Sequence, residues 1–234
     1  SRDGGEVLLE SRDGRIDIAG TDAPGAASIA VGAGDGSSAG LVRLTAAQEP
    51  GGLAIGTLAG TIAGAERVEL VGRRLYTGVT SLDGARYAAV TGNAESFMAG
   101  AAAIEAALGV AGDSRYHVMP GIEIQGVGTL TLTSDWDFAY SRPGGEPGIL
   151  VLRAAGDLRL DRSLSDGVVN ADLFGFGDLR DVADLAGAFG IAGGERAWSW
   201  RAVAGADLAS ADALAVIAGT GDLRYGSWSF GSAG

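Results

Sequence analysis

A short unit, Gly-x-apolar-x-apolar, constrains this chain more than any other feature because it recurs along the chain. Two copies, at 128–132 and 156–160, begin 28 residues apart, and each follows a Pro-Gly-Ile triplet. Two further copies lie at 14–18 and 221–225. Apolar residues on alternate positions indicate a strand with one buried face, and the glycine at its entry indicates a corner. A repeat of about 20 to 50 residues is typical of a solenoid.

Composition agrees with stacked strands. The 234 residues include 41 glycines, well above the usual share of about 7%. A solenoid uses glycine at its tight corners, because glycine adopts positive φ with little steric penalty. The hydrophobic content of 47% excludes a disordered glycine-rich segment. We therefore predict an all-β chain whose strands have an apolar inner face and a solvated outer face.

Charge and cysteine content narrow the function classes. The net charge is −12, and all 17 basic residues are arginine, so binding to nucleic acid or to an anionic membrane surface is disfavoured. Cysteine is absent, which excludes disulfides, thiolate metal sites and a cysteine nucleophile. No apolar run is long enough for a membrane span, and no signal peptide is recognisable. Because the chain starts at Ser1 without methionine, we interpret it as a fragment of a longer protein.

One α-helix is predicted within the strands, over 93–109. Asn93 is the predicted N-cap and Gly109 the C-terminal glycine, and an apolar stripe lies at Phe97, Ala101, Ile104 and Leu108. With a loop before it over 76–92, this helix forms a predicted insertion over 76–115 on the flank of a single domain, 1–234. The period over 171–192 is unclear and fits either a short helix or a loop.

Two carboxylates, Asp135 and Asp137, lie two residues apart and therefore on one face of a strand. With an arginine such as Arg142 or Arg159, they have the composition of a polysaccharide lyase or hydrolase site, or of a calcium site. We favour a simpler interpretation, in which they are outward-facing polar residues beside two inward-facing aromatic residues. We therefore assign no catalytic, cofactor-binding or metal-binding residue and predict no enzyme activity.

The remaining candidates also have structural interpretations. His117 is the only histidine, which excludes a catalytic triad or a histidine-rich metal site. Asp-Gly pairs, which we interpret as turns because they lack the spacing of calcium-binding repeats, occur at 3–4, 13–14, 35–36, 83–84 and 166–167. The glycine-rich stretch 32–40 lacks the Lys-Ser/Thr of a phosphate loop. Three tryptophans, at 198, 200 and 228, are assigned to core or end packing rather than to sugar stacking.

A series of segments carries a family resemblance: GTLAGTIAGAERVELVGRRLY (56–76), the alanine-rich helix, PGIEI (120–124), SDWDF (134–138), GGEPGILVLRAAGDLRL (144–160), SLSDG (163–167) and WSWRAVAGADLASAD (198–212). Their order resembles the filamentous-haemagglutinin-type exoproteins of two-partner secretion systems in Gram-negative bacteria, over about residues 40–225. The resemblance implies a right-handed parallel β-helix, exported through a dedicated outer-membrane transporter and located on the outer cell surface or secreted.

The favoured function is therefore a structural shaft segment of an adhesin-like exoprotein. Its expected partners are the secretion transporter, host cells, neighbouring cells or glycans, and a second copy through end-to-end association. Nucleic acid, membrane insertion and cofactors are not expected. Two alternatives stay open: a polysaccharide-degrading lyase or hydrolase on a β-helix, and a filament-forming structural subunit.

Overall fold

The computed structural model describes residues 4–20, 28–32, 40–138, 141–165 and 197–226. Strands predominate in these ranges, so the mostly-β prediction is confirmed. Neither helix within them is long and apolar enough to cross a bilayer. The elements are β1 (Glu6–Glu10), β2 (Ile16–Ile18), β3 (Ser28–Ala30), β4 (Gly40–Glu49), β5 (Gly52–Leu53), β6 (Ile55–Leu58), β7 (Thr61–Ala63), β8 (Ala65–Tyr76), β9 (Ser81–Leu82), α1 (Gly84–Met98), α2 (Ala101–Ala107), β10 (Tyr116–Gly126), β11 (Leu130–Leu132), β12 (Trp136–Asp137), the 3-10 turn η1 (Pro143–Gly145), β13 (Ile149–Ala154), β14 (Leu158–Leu160), β15 (Leu164–Ser165), β16 (Ser199–Ala204) and β17 (Leu223–Tyr225).

The chain divides into two compact units. The first unit comprises Ser1–Tyr76 and Gly92–Glu123, and the second comprises Thr77–Thr91 and Ile124–Gly234. The largest sheet is parallel and has the strand order β1-β4-β8-β10-β13-β16, with β5 attached to β4. Each of these six strands is separated from the next in the chain by other strands or by the helices.

Strand pairing in the first unit recurs along the chain. β1 pairs in parallel with β4, and β4 pairs in parallel with β8. β2 pairs with β6 and β3 with β7, again in parallel. The successive strands β1, β2 and β3 therefore pair with the later strands β4, β6 and β7, in the same order. The exception is β5, which turns back at Pro50 and Gly51 and lies antiparallel on β4.

The second unit stacks three copies of the Gly-x-apolar-x-apolar unit. β14 lies between β11 and β17, and both pairings are parallel and in register. The copy at 14–18 instead forms β2 of the first unit. The equivalent apolar positions of the three stacked copies are Leu130, Leu158 and Leu223, followed by Leu132, Leu160 and Tyr225.

Close backbone contact between copies explains the glycine at the entry of the unit. The amide of Gly156 donates a hydrogen bond to the carbonyl oxygen of Gly128, at 3.1 Å. Gly221 has φ of +75°, and a Cβ built on it would lie 2.6 Å from the carbonyl carbon of Gly156 and from the amide nitrogen of Gly205. A side chain at this corner would therefore both strain the backbone and collide with it.

The helical segment differs from the predicted single helix over 93–109. The structure has two helices, α1 and α2, and α1 starts nine residues earlier, at Gly84 rather than at 93. The Asp83 carboxylate caps it by accepting a hydrogen bond from the amide of Arg86, at 2.8 Å. The predicted N-cap Asn93 lies inside α1, and the predicted loop over 76–92 contains β9 and half of that helix. Burial of Val90 and Ala94 favours helix over the weak propensities of Thr91 and Gly92.

The predicted apolar stripe is confirmed. Ile104 is buried in the core of the first unit with Leu44 and Leu70, and the other three stripe positions pack against that core. Gly109 has φ of +72°, which agrees with its predicted place after the last helical residue.

The prediction of a solvated outer face is wrong for part of the largest sheet. On β8 and β10 the polar side chains between the inward apolar positions are buried, and Glu69 and Glu123 are each only 2% exposed. Arg153 of β13, in the second unit, is fully buried. These strands have both faces covered, as parallel strands usually do.

A substitution at Gly72 tests the packing between the sheet and α1. A Cβ at this position would lie 2.7 Å from one ring carbon of Phe97 and 2.8 Å from another. We expect Gly72→Ala to destabilise the first unit by about 1–3 kcal/mol, because the ring cannot shift without disturbing a packed core. Urea unfolding followed by circular dichroism measures the change. Gly84→Ala is the control, since a Cβ there meets no atom within 4 Å, and an equal loss in both variants would contradict the explanation.

Candidate functional site

The structure places Asp135 and Asp137 on the outside of the second unit. Both are exposed, whereas Trp136 and Phe138 beside them are fully buried. The predicted orientation, with polar residues outward and aromatic residues inward, is confirmed.

Asp135 and Arg159 make contacts within the second unit that hold local structure. The Asp135 carboxylate accepts a hydrogen bond from the amide of Ser163, at 2.8 Å. Arg159 pairs with Asp161 at 3.5 Å, and both side chains are about half exposed. Asp137 pairs along β12 with Ser165 of β15, and Arg142 immediately precedes η1. Within the described ranges no hydrogen bond or ion pair joins Asp135 to Arg159, and neither described pocket is lined by these residues.

An aromatic cluster fills the interior behind Asp135 and Asp137. The Tyr87 ring centroid lies 5.6 Å from that of Trp136 and 5.4 Å from that of Phe138. The tryptophan indole N–H donates to the carbonyl oxygen of Asp83 at 3.2 Å, and the Tyr87 hydroxyl donates to the carbonyl oxygen of Asp137. Burial, followed by the nearby charge of Asp137, raises the pKa of the Tyr87 phenol. The cluster is consistent with packing rather than with ligand binding.

Two of the three candidate tryptophans extend this cluster. Trp198 is buried, its ring centroid lies 4.4 Å from that of Phe138, and its indole N–H donates to the carbonyl oxygen of Ser141 at 3.0 Å. Trp200 is partly buried, with its ring centroid 5.9 Å from that of Phe138. The assignment to core packing is confirmed for both, and Trp228 lies outside the described residues.

No described group of side chains forms a metal site. Across the described ranges, no three His, Cys, Asp or Glu side chains are arranged to hold a metal ion. His117 is partly buried on β10. Of the Asp-Gly pairs, that at 13–14 lies in the turn before β2, as predicted, whereas Asp83 and Gly84 begin α1. Asp3, the pairs at 35–36 and 166–167, the interior of the 32–40 stretch and residues 171–192 fall outside the described ranges.

Two buried carboxylates in the first unit, Glu69 and Glu123, were not anticipated. The Glu69 carboxylate accepts hydrogen bonds from Arg43 at 2.7 Å and from Arg67 at 2.9 Å, one on each oxygen. The Glu123 carboxylate accepts from Arg12 at 2.5 Å and from Arg73 at 2.9 Å, again one on each oxygen.

This arrangement links segments of the first unit that are far apart in the chain. Each carboxylate joins arginines from different parts of the first unit, and both of its oxygens are occupied by guanidinium donors. A sequence signal for this burial exists in β10, where outer positions carry Met119 and Gly121 rather than charged residues.

The described pocket with the most varied side-chain chemistry lies in the first unit. It has a volume of about 300 Å³, at the lower end of the range for small-ligand sites. It opens where the turn after β4 faces the C-terminal part of α1 and the start of α2. Its lining combines charged, amide, hydroxyl, aromatic and aliphatic side chains, which include Gln48, Glu49, Arg74, Asn93, Ser96 and Phe97.

A second pocket, in the second unit, is built mainly from backbone. It lies between β16 and the turn before β17 and is lined by Ala204 and residues 216–222. Asp222 is its only charged lining residue, and Thr220 its only hydroxyl. The Thr220 hydroxyl already donates to the carbonyl oxygen of Ile217 at 2.7 Å. This pocket therefore offers little side-chain chemistry.

Comparison of the chain with protein-family models, with curated proteins and with solved structures finds no match.

Proposed function

We propose that this chain is a segment of a right-handed parallel β-helix, which serves as the shaft of a secreted adhesin-like bacterial exoprotein. The observation that carries the proposal is the in-register stacking of three sequence repeats as β11, β14 and β17. The recurrent parallel pairing of β1, β2 and β3 with β4, β6 and β7 supports it. Parallel strands joined by crossover connections are almost always right-handed.

The proposed shaft would be stiff because hydrogen bonds link each coil to the next. Parallel strands about 4.8 Å apart pair their backbone groups along the stacking direction, and stacked apolar residues add a continuous core. The buried Arg–Glu ion pairs would add side-chain links between neighbouring strands along the same direction, since Arg43 of β4 contacts Glu69 of the neighbouring strand β8. Such a segment would provide length, resistance to proteolysis and a display surface without performing chemistry.

The order of sequence motifs supports the assignment to a two-partner secretion exoprotein. Under this proposal the protein leaves a Gram-negative cell through a dedicated outer-membrane transporter and is then secreted or held on the outer surface. The absence of cysteine fits a chain that crosses membranes unfolded. Contacts with host cells, neighbouring cells or glycans would follow from its position on the surface.

Surface labelling and attachment assays test the proposal in the parent bacterium. We expect antibodies against the chain to label intact cells, and antibody Fab fragments to reduce attachment to host or neighbouring cells. Deletion of the partner transporter should abolish labelling and leave the protein in the periplasm. A Fab that recognises an unrelated surface protein is the control. Labelling only after the cells are broken open, with unchanged attachment, would contradict the proposal.

The two alternative functions receive less support. An enzyme using Asp135 and Asp137 would need side chains that converge on a cleft, whereas Asp135 holds the amide of Ser163. For a filament subunit, the relevant observation is the apolar surface of β17, where Leu223 is 56% and Tyr225 73% exposed. That surface is compatible with end-to-end association and equally with a further coil of the shaft.

A further inference from the structure

The pocket of the first unit is lined by an arginine side chain, Arg74, whose guanidinium group has no partner among the described residues. On β8, side-chain alternation places Arg74 on the same face as Leu70 and Gly72, which is the inward face. The side chain lines the pocket and is exposed. Among the described residues Arg74 has neither an ion pair nor a hydrogen bond, so its guanidinium is available to an acidic ligand.

Three acceptors line the same pocket. The side-chain oxygen of Asn93, Oδ1, is buried and has no hydrogen-bond partner. The Gln48 amide uses its Nε2 to donate to the carbonyl oxygen of Gly72 at 2.9 Å, which leaves its Oε1 as an acceptor. Ser96 donates its hydroxyl to the carbonyl oxygen of Gly92 at 2.9 Å, which leaves its lone pairs. A ligand that satisfies them must carry hydrogen-bond donors.

Part of the remaining lining is apolar, since it includes Phe97 and Ile104. The Phe97 ring packs on the backbone of Gly72 and Ile104 is buried in the core of the first unit. An aromatic ring held in this way offers a flat surface to the C–H face of a ring-shaped ligand. The pocket volume, about 300 Å³, suits one small ring rather than an extended chain.

We propose that this pocket binds a hexuronate, a sugar residue that carries a carboxylate and several hydroxyl groups. The carboxylate would pair with Arg74, the hydroxyls would donate to Asn93 and its neighbouring acceptors, and the ring would lie against Phe97. Inorganic phosphate fits less well because it lacks the several donors that the acceptors require. The negative charge of Glu49, which pairs with Arg15 at 3.2 Å, also opposes a doubly charged anion.

A peptide terminus is the other acidic ligand to distinguish. It would present a carboxylate and a single N–H near it, which matches one acceptor rather than three. The proposal goes beyond the shaft assignment and does not rest on it, because a pocket of this composition would bind hexuronate in any parent protein. Failure of hexuronate binding would leave the surface-labelling experiment unaffected.

The test is titration of the purified chain with sodium D-glucuronate, followed by calorimetry and by saturation-transfer NMR. We expect saturable binding, with transfer to the sugar ring protons. D-glucose, N-acetylglycine and inorganic phosphate should each bind at least about tenfold more weakly. Arg74→Ala and Asn93→Ala should each weaken glucuronate binding by at least about tenfold, the loss expected for a hydrogen bond to a charged or buried group.

Arg162→Ala is the matched control, because Arg162 is exposed and lies outside the pocket lining. It removes the same charge and should leave glucuronate binding unchanged. Circular dichroism and thermal melting confirm that each variant is folded. Absence of glucuronate binding, equal binding of glucose or N-acetylglycine, or equal effects of Arg74→Ala and Arg162→Ala would each overturn the proposal.

Discussion

Replacement of Trp136 by alanine is expected to destabilise the second unit by about 3–5 kcal/mol, as large-to-small changes at buried aromatic residues do. The side chain is fully buried, contacts Tyr87 and Phe138, and donates a hydrogen bond to the Asp83 carbonyl. Its removal leaves a cavity and removes one of the two hydrogen bonds that the Asp83 carbonyl oxygen accepts, while the bond from the Tyr87 amide at 2.9 Å remains. Urea unfolding followed by near-ultraviolet circular dichroism, which reports the aromatic cluster, measures the loss.

Tyr225→Ala is the control for this prediction. Tyr225 is also an aromatic residue on a strand of the second unit, but it is 73% exposed. Its replacement should change stability by no more than about 0.5 kcal/mol. If the two variants unfold at the same urea concentration, the aromatic cluster does not have the central role in packing assigned to it.

Glu123→Ala is expected to destabilise the first unit by about 3–5 kcal/mol, the usual result of removing one partner from a buried ion pair. The carboxylate is 2% exposed and accepts hydrogen bonds from Arg12 and Arg73. Alanine would leave two guanidinium groups in a largely buried position without this acceptor. Urea unfolding monitored by far-ultraviolet circular dichroism measures the change.

An exposed ion pair in the same unit provides the matched comparison. Glu49 pairs with Arg15 at 3.2 Å, but the two side chains are 43% and 52% exposed. Glu49→Ala should therefore cost about 0–1 kcal/mol, and added salt should reduce the difference further. Equal losses for Glu49→Ala and Glu123→Ala would show that burial does not govern the strength of these pairs.

The strands were largely predictable from the sequence because their signal is local. Alternating apolar residues and an entry glycine identified β2, β11, β14 and β17, and the tryptophan pattern identified β16. The apolar stripe of the helical segment was also visible, since the spacing of Phe97, Ala101, Ile104 and Leu108 depends only on helical periodicity.

The start of α1 was missed because its causes are distant in sequence. Residues 84–92 include Thr91 and Gly92, which have weak helix propensity, and the burial of Val90 depends on the folded core. Asp83 was interpreted as part of a turn, although aspartate is also one of the residues preferred at a helix N-cap. Asn93, in turn, was assigned as a cap and not as a pocket residue.

The candidate pocket could not be derived from sequence for a geometric reason. Its lining comes from β4 and the turn after it, from β8 and from both helices, and so extends in the chain from Gln48 to Ile104; none of these segments carries a recognised motif. Burial of Glu69 and Glu123 was missed for a related reason, because alternation identifies two faces of a strand but not what covers each face.

The sequence by itself determined the period of the strands, the glycine corners between them and which residues of each strand face inward. Only the tertiary structure decided that the Gly-x-apolar-x-apolar copies at 128–132, 156–160 and 221–225 stack on one another while the copy at 14–18 pairs elsewhere. It also decided that the glutamate side chains on the outer faces of β8 and β10 are buried and bonded to arginine side chains. Inward or outward orientation follows from neighbouring residues, whereas the partner of a parallel strand is chosen by contacts between residues far apart in the chain.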